Sequence, residues 1–241
     1  MLPLPGVHSS QQSWSRGGVR RQAQATDVAE EASTHGSDGA MLLQLAERFI
    51  REESAFYTPP KPDRIAEDFV FRGPTVGPLC KRDYLTTLGT FEVYKAFPDI
   101  QPNPFGFVID PDNPRLVRFF VRNTGTNDGP FGLGNGISIP STGREVRGAT
   151  EAFSILFDSN NLVKMLTVGY VCDRFEGNTF GLGAALGLMN VVGLPIKPGP
   201  LYNFTTWLNN RVLGLPAKTV SAPEDVPAWW PHEERGAEGY Y

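Results

Sequence analysis

The stretch Glu145–Phe175, EVRGATEAFSILFDSNNLVKMLTVGYVCDRF, constrains this chain more than any other. Two runs rich in β-branched and aromatic residues flank Asp158-Ser159-Asn160-Asn161, residue types that favour a tight turn. The pattern predicts two long antiparallel strands. Phe153-Ser154-Ile155-Leu156-Phe157 is apolar in both alternating sets, so both faces of the sheet need cover. Helices suit one face, and the C-terminal tail or a partner suits the other.

The chain before this stretch supplies both helices and further strands. Met41–Tyr57 carries Leu42, Leu45, Ala46, Phe49 and Ile50 at helical spacing, and Pro59-Pro60 ends it. A shorter helix is expected over Asp63–Glu67, leading into a strand at Phe69–Arg72. A third helix is expected from about Lys81 to Phe97, with Tyr84, Leu85, Leu88, Phe91 and Tyr94 as its buried stripe and Pro98 as its stop. Phe105–Ile109 then leads through Asp110–Pro114 into Leu116–Thr126. There Val117, Phe119 and Val121 alternate with Arg118, Phe120 and Arg122. A Gly-rich loop, Asn127–Gly143, follows. Helices set apart from an antiparallel sheet define the α+β class.

Composition narrows the function classes. The 241 residues carry a net charge of -4, against the basic face that a phosphate backbone needs, so nucleic acid is not expected as a partner. Two cysteines, Cys80 and Cys172, are too few for a disulfide scaffold, and both are expected to be packed thiols. The histidines, His8, His35 and His232, all lie outside the expected core. That argues against a metal site and against a Ser-His or Cys-His nucleophile, and no cofactor is implied. Gly132–Gly136 and Gly181–Gly183 lack the strand–turn–helix setting of a phosphate loop.

The two ends have compositions of their own. Residues 1–26 contain Arg16, Arg20 and Arg21 among several serines and no acidic residue, the composition of an organelle transit peptide. Gly18–Ala23, GVRRQA, resembles the stromal-processing sites of green-algal plastid proteins. The expectation is therefore a leader over 1–23, a chloroplast stroma destination and an unstructured linker over 24–40. Mitochondrial targeting and a plain disordered tail are the competing readings. At the other end, Gly177–Ile196 is a twenty-residue stretch without a charge, and Lys197–Tyr241 alternates prolines with aromatic residues. The first could cover the mouth of a pocket, form a dimer or partner interface, or touch a membrane surface, with membrane contact at most peripheral. The second has the aromatic anchors of a docking segment.

Within 41–176 a family resemblance can be given. Glu67–Pro74 (EDFVFRGP), Arg82-Asp83-Tyr84-Leu85, Phe97-Pro98-Asp99-Ile100, Gly125-Thr126, Gly132 and Thr142-Gly143-Arg144 occur in an order that resembles the SnoaL-like branch of the NTF2-like superfamily. The resemblance implies a cone, a curved antiparallel sheet packed on three N-terminal helices, followed here by an irregular C-terminal extension over 177–241. It implies an apolar pocket for a small hydrophobic molecule, and isomerisation, cyclisation or dehydration by proton transfer as the chemistry. The alternative is a non-catalytic assembly or scaffold protein docking through 177–241. A homodimer through the sheet face is a further expectation.

Asp173 matches the acidic residue late on the last strand that acts as general base in cyclase members. Strand parity sets it with Val163, Met165 and Val171, and burial would raise its pKa. The bland alternative is a strand-end carboxylate paired with Arg174, Arg147 or a loop amide. Tyr170, Tyr84 and Tyr94 are candidate donors to a developing enolate. Glu151, with Arg147, Arg118 and Arg122, reads either as a cross-strand ion-pair ladder or as part of an arginine clamp for an anionic ligand. Ketosteroid isomerases keep their base on the first strand, where this chain has Arg72-Gly73.

Overall fold

The computed structural model describes residues 38–194, 216 and 218–230. The expected leader, the linker up to 37, the segment 195–215, residue 217 and the last eleven residues lie outside the described residues, while 38–40, expected as linker, begin a helix. By chain contacts, residues 1–38 and 39–241 form separate units, and the account below concerns the second.

The chain folds as an α+β protein around a six-stranded sheet in the order β2-β1-β10-β9-β4-β3. These strands are β1 (Ile65–Arg72), β2 (Leu79–Cys80), β3 (Phe105–Asp110), β4 (Asn113–Val121), β9 (Glu151–Phe157) and β10 (Val163–Val171). Two small ribbons join it: β5 (Thr124–Thr126) with β8 (Glu145–Arg147), and β6 (Phe131–Gly134) with β7 (Ile137–Ile139). The helices are α1 (38–52), α2 (Lys81–Phe91), α3 (Val93–Ala96) and α4 (Ala184–Val191).

The sheet is mixed rather than wholly antiparallel, because β1 runs parallel to β10. The β9–β10 hairpin stands as expected. Its turn is held by Asp158, whose Oδ1 accepts the Asn160 and Leu162 N–H groups, with Asn161 in the left-handed region at φ 61°. Its first arm is divided, however. Gly148-Ala149-Thr150 separates β8 from β9, and the Thr150 carbonyl accepts the Cys172 N–H while its own N–H donates to Glu176. Other boundaries also moved. The expected helix over Asp63–Glu67 is a single 3-10 turn, Pro62–Arg64, and the strand begins at Ile65. The third helix breaks at Glu92, whose φ of 42° interrupts the α-helical run.

Register irregularities bend the strands, as bulges do. Two of them lie in β10 against β9, between Val163 and Met165 and between Thr167 and Tyr170, where Gly169 has φ 80°. Each shifts the alternation by one residue. Val163, Leu166 and Val168 consequently face the main core with the helices, whereas Met165 faces outward.

The main core joins Phe49 and Ile50 of α1, Tyr84 and Leu88 of α2, and Val117, Phe119, Phe153 and Ile155 of the sheet. The outer face carries a second apolar cluster. Val70, Leu116 and Met165 are covered there by Val226 and Trp230, and the Trp229 indole N–H donates to the Asp68 carbonyl at 2.8 Å. The expected tail cover is therefore present over one end of the sheet. Residues 218–226 are also strapped to α2 and β2. Ser221 bonds Asp83 at 2.7 Å and the Cys80 N–H at 2.9 Å, and Arg82 pairs with Asp225.

Candidate functional site: an apolar cavity with a buried polar chain

Between the inner sheet face and the helices lies a cavity of about 320 Å³. Phe71, Phe153, Leu166 and Val168 form its floor, and Ile50, Tyr84, Leu88 and Phe91 its helical wall. Gly183–Leu186 and Met189 supply a further side, with Lys218 and Thr219 from the strap. Of the three readings of Gly177–Ile196, the structure favours a cover, since α4 lines this cavity. Ala184 and Ala185 present only small side chains to it, whereas Gly183 lies tight against Gly169 and Glu151. Phe180 points away and is exposed. Among the described residues no helix is long and apolar enough to cross a membrane, and no cluster of acidic, histidine or cysteine side chains could hold a metal ion.

Tyr57, which follows α1 and lines the cavity, begins a buried chain of hydrogen bonds. Its hydroxyl donates to Asn123 Oδ1 at 2.7 Å. The Asn123 side-chain amide donates to Glu151 Oε1 at 3.2 Å, and the Ala184 backbone N–H donates to Glu151 Oε2 at 2.9 Å. Glu151 is 1% exposed. Its location follows from strand parity: it heads the inward set of β9 with Phe153, Ile155 and Phe157, and its neighbour Val121 heads the inward set of β4. Asn123, two residues after Val121, continues inward. The carboxyl group thus sits at the end of an apolar face, separated from the cavity by the backbone of Gly183-Ala184.

That environment sets its protonation. Burial pushes the Glu151 pKa up to about 7, while the Ala184 N–H and the Asn123 amide act in the opposite direction by favouring the charged form. Burial, the neighbouring Glu151 charge and Tyr84 raise the Tyr57 hydroxyl well above its ordinary value, and its bond to Asn123 acts against them. Among the described residues no cation pairs with Glu151. Its only side-chain link to the cavity lining among the described residues runs through Asn123 to the Tyr57 hydroxyl.

The residues expected from sequence distribute differently. Asp173 is not on a strand: β10 ends at Val171, and Asp173 is exposed, with Oδ1 accepting the Phe175 N–H at 2.9 Å in a turn. The two shifts in β10 cancel, so Val171 again lies opposite inward-facing Glu151, but the strand stops there and Asp173 falls in the turn that follows. Tyr170 is 38% exposed on the outer face. Tyr94 is half-buried beside Glu92 and does not line the cavity. Tyr84 does line it, but its hydroxyl donates to the Ser54 carbonyl, and burial raises its pKa.

The ion-pair ladder is likewise absent. Arg118 pairs with Asp110 at 2.5 Å and Arg122 with Glu176 at 3.0 Å, both outside the core. Arg147 is exposed at a separate polar cleft with Arg144, Glu145 and Asn178. Since Glu151 faces inward and the arginines outward, no clamp forms. Cys80 is buried as expected, whereas Cys172 is exposed. Tyr57 and Asn123 were not singled out from the sequence. Only the position of Glu151 at the head of an apolar alternation signalled the site.

Fold and cavity define an α+β protein enclosing a small apolar chamber. No protein-family profile matches the chain, and no curated protein matches it. Solved structures similar to it include a protein described as a SnoaL-like polyketide cyclase from Jannaschia sp., at 12% identity and TM-score 0.43, covering 65% of this chain and 94% of that one. A protein described as a polyketide cyclase from Acidithiobacillus ferrooxidans is 20% identical at TM-score 0.38, with 54% and 85% covered. A phenazine biosynthesis-related protein from Pseudomonas aeruginosa is 14% identical at TM-score 0.38, with 67% and 93% covered.

Proposed function

We infer that this chain is a SnoaL-like protein that binds a small hydrophobic molecule between its sheet and helices. The carrying observation is the cavity itself. Its 320 Å³ falls within the range of small-molecule sites, and its walls are almost wholly apolar. A second strand of the proposal is proton transfer next to a carbonyl, as in isomerisation, cyclisation or dehydration. Glu151 suits this better than exposed Asp173 because its pKa is raised. Since the Gly183-Ala184 backbone separates it from the cavity, it would act through Asn123 and the cavity-lining Tyr57.

Two measurements test these parts separately. Untargeted extraction of the purified chain should recover an apolar compound that is missing from Ala185→Trp, which fills the cavity. Recovery of the same compound from both would remove the cavity from the proposal. For the chemistry, 2-decalone incubated with the protein in D2O should gain deuterium next to its carbonyl. That exchange should persist in Asp173→Asn and vanish in Glu151→Gln. Exchange no faster than in buffer alone would leave binding without catalysis, and equal, faster exchange in all three proteins would remove Glu151 from the chemistry.

A partner-docking role is the second reading. Phe105, Phe120 and Tyr170 are exposed on the outer sheet face, beyond the end covered by Trp230. A second copy or another protein seated there would bury them. The composition of residues 1–26 supports a plastid destination, and a fluorescent protein fused to residues 1–40 would test it by its location.

A further inference from the structure

The buried chain Tyr57–Asn123–Glu151 has two complete hydrogen-bonding arrangements. In the observed one, Tyr57 donates to Asn123 Oδ1 and Asn123 donates to a Glu151 carboxylate, which also accepts the Ala184 N–H. Each of these three bonds runs from a donor to an acceptor. A proton on the Glu151 oxygen that faces Asn123 would set O–H against N–H, two donors with nothing between them. Turning the Asn123 amide by 180° resolves this. Glu151 O–H then donates to Asn123 Oδ1, Asn123 Nδ2 donates to the Tyr57 oxygen, and the Ala184 N–H keeps its acceptor.

One hydrogen is displaced by that turn, the Tyr57 hydroxyl proton. Asn123 now occupies the phenol oxygen as a donor, so the O–H must find another acceptor. Tyr57 lines the cavity, so an acceptor on a molecule bound there can take this O–H. We propose that the protonation state of Glu151, relayed by the Asn123 amide, decides whether Tyr57 offers a hydrogen-bond donor to the cavity, and that the chamber is built for a small apolar molecule bearing one carbonyl-type acceptor. Glu151 is here a positioning residue, acting on the ligand through Asn123 and Tyr57.

The groups facing the carboxyl support a switch near neutrality. Tyr57, Asn123 and the start of α4 surround it, Tyr84 lies next to Tyr57, and none of them carries a positive charge. Burial brings the Glu151 pKa to about 7, so both arrangements are populated over an accessible range.

The proposal rests on the ligand-binding reading for its substrate class, but not for the switch itself. The test uses the full chain labelled with 15N-asparagine, with the Asn123 side-chain amide assigned through its contact with the Tyr57 ring. Between pH 5.5 and 8.5 this signal should move between two positions with a midpoint near neutral. Glu151→Gln, whose amide N–H also donates to Asn123 Oδ1, should hold it at the low-pH position throughout. A signal that stays fixed in the wild type overturns the proposal even if the variant fails to fold, and so does an unchanged titration in Glu151→Gln.

The ligand arm compares 2-decalone with decalin, which has the same shape without the acceptor. Below the midpoint the ketone should bind about fivefold more tightly relative to decalin than it does above, the worth of one net hydrogen bond. In Glu151→Gln that preference should persist at every pH. A preference independent of pH in the wild type would overturn the link to Tyr57. Binding of neither compound would overturn the ligand-binding reading and the substrate class, and the amide titration would still decide the switch.

Discussion

Replacing Glu151 with glutamine should stabilise this protein, and increasingly so as pH rises. Glu151 carries a proton more tightly in the folded chain, with its pKa raised from 4.5 to about 7. The folded state therefore binds more protons than the unfolded state between these values, and stability falls as pH rises through them. The contribution is fully present below 4.5 and is lost by the time pH has passed through 7. The separation, at about 1.36 kcal/mol per pKa unit, amounts to about 3 kcal/mol, most of it lying between pH 5 and 8. Glutamine can keep the Ala184 N–H as a donor to its oxygen and carries no charge to desolvate. Urea unfolding of both proteins at pH 5, 6.5 and 8 reads the difference directly. Its growth with pH cancels the titration of groups common to both chains, including Asp110 and Glu176, whose carboxyls are held below their ordinary range mainly by Arg118 and by Thr150. A difference that stays constant from pH 5 to 8, or one that shrinks, would refute the view of Glu151 as a buried carboxyl without a cation.

Other perturbations test the packing around the site. Gly183→Ala puts a Cβ 2.4 Å from the Gly169 carbonyl oxygen and 2.8 Å from Glu151 Oε2. A loss of about 1–3 kcal/mol in thermal or urea unfolding is expected, and wild-type stability would mean that 183–184 does not press on β10. Trp230→Ala uncovers Val70, Leu116 and Met165 and should cost about 3 kcal/mol, with faster proteolysis after the strap; an unchanged unfolding midpoint would count against the tail as cover. Ser221→Ala removes one partner of buried Asp83 and the acceptor of the Cys80 N–H, for a loss of about 1–3 kcal/mol in the same assay. Burial alone would raise the Asp83 pKa. Ser221, Lys218 and Arg82 hold it below its ordinary value, so its contribution is lost as pH falls, opposite in sign to that of Glu151. Asp173→Asn should change unfolding by under about 0.5 kcal/mol, as an exposed turn residue does.

The class of fold is written plainly in the alternation of β4 and β9. Val117, Phe119 and Val121 face inward, as do Phe153, Ile155 and Phe157, because those strands pair without a register shift. The same rule fails inside β10, where one irregularity turns Met165 outward and a second restores the alternation by Val171. Asp173 was drawn in by the family resemblance and by a strand expected to run past Val171. Period-two reasoning carries no information about where a bulge falls. Gly169 alone marked a position able to adopt a φ of 80°. The parallel pairing of β1 with β10 was also hidden, since no local pattern reports which distant strand becomes a neighbour. Tyr57, Asn123 and Glu151 come from three segments far apart in the chain. Their convergence depends on the break after β4 and on the chain turning inward after α1, neither of which has a spacing signature. Glu151 was visible as a charged residue in an apolar set, but the arginines near it in sequence suggested an ion pair. The two faces of the sheet separate them.

The most direct measurement of the central claim is a calorimetric titration of 2-decalone into the full chain and into Ala185→Trp, with folding of both confirmed by circular dichroism. The apolar cavity beneath α4 predicts saturable one-to-one binding to the wild type and its loss in the variant. Binding that is equal in the two proteins, or absent from the wild type at millimolar ketone, would contradict it.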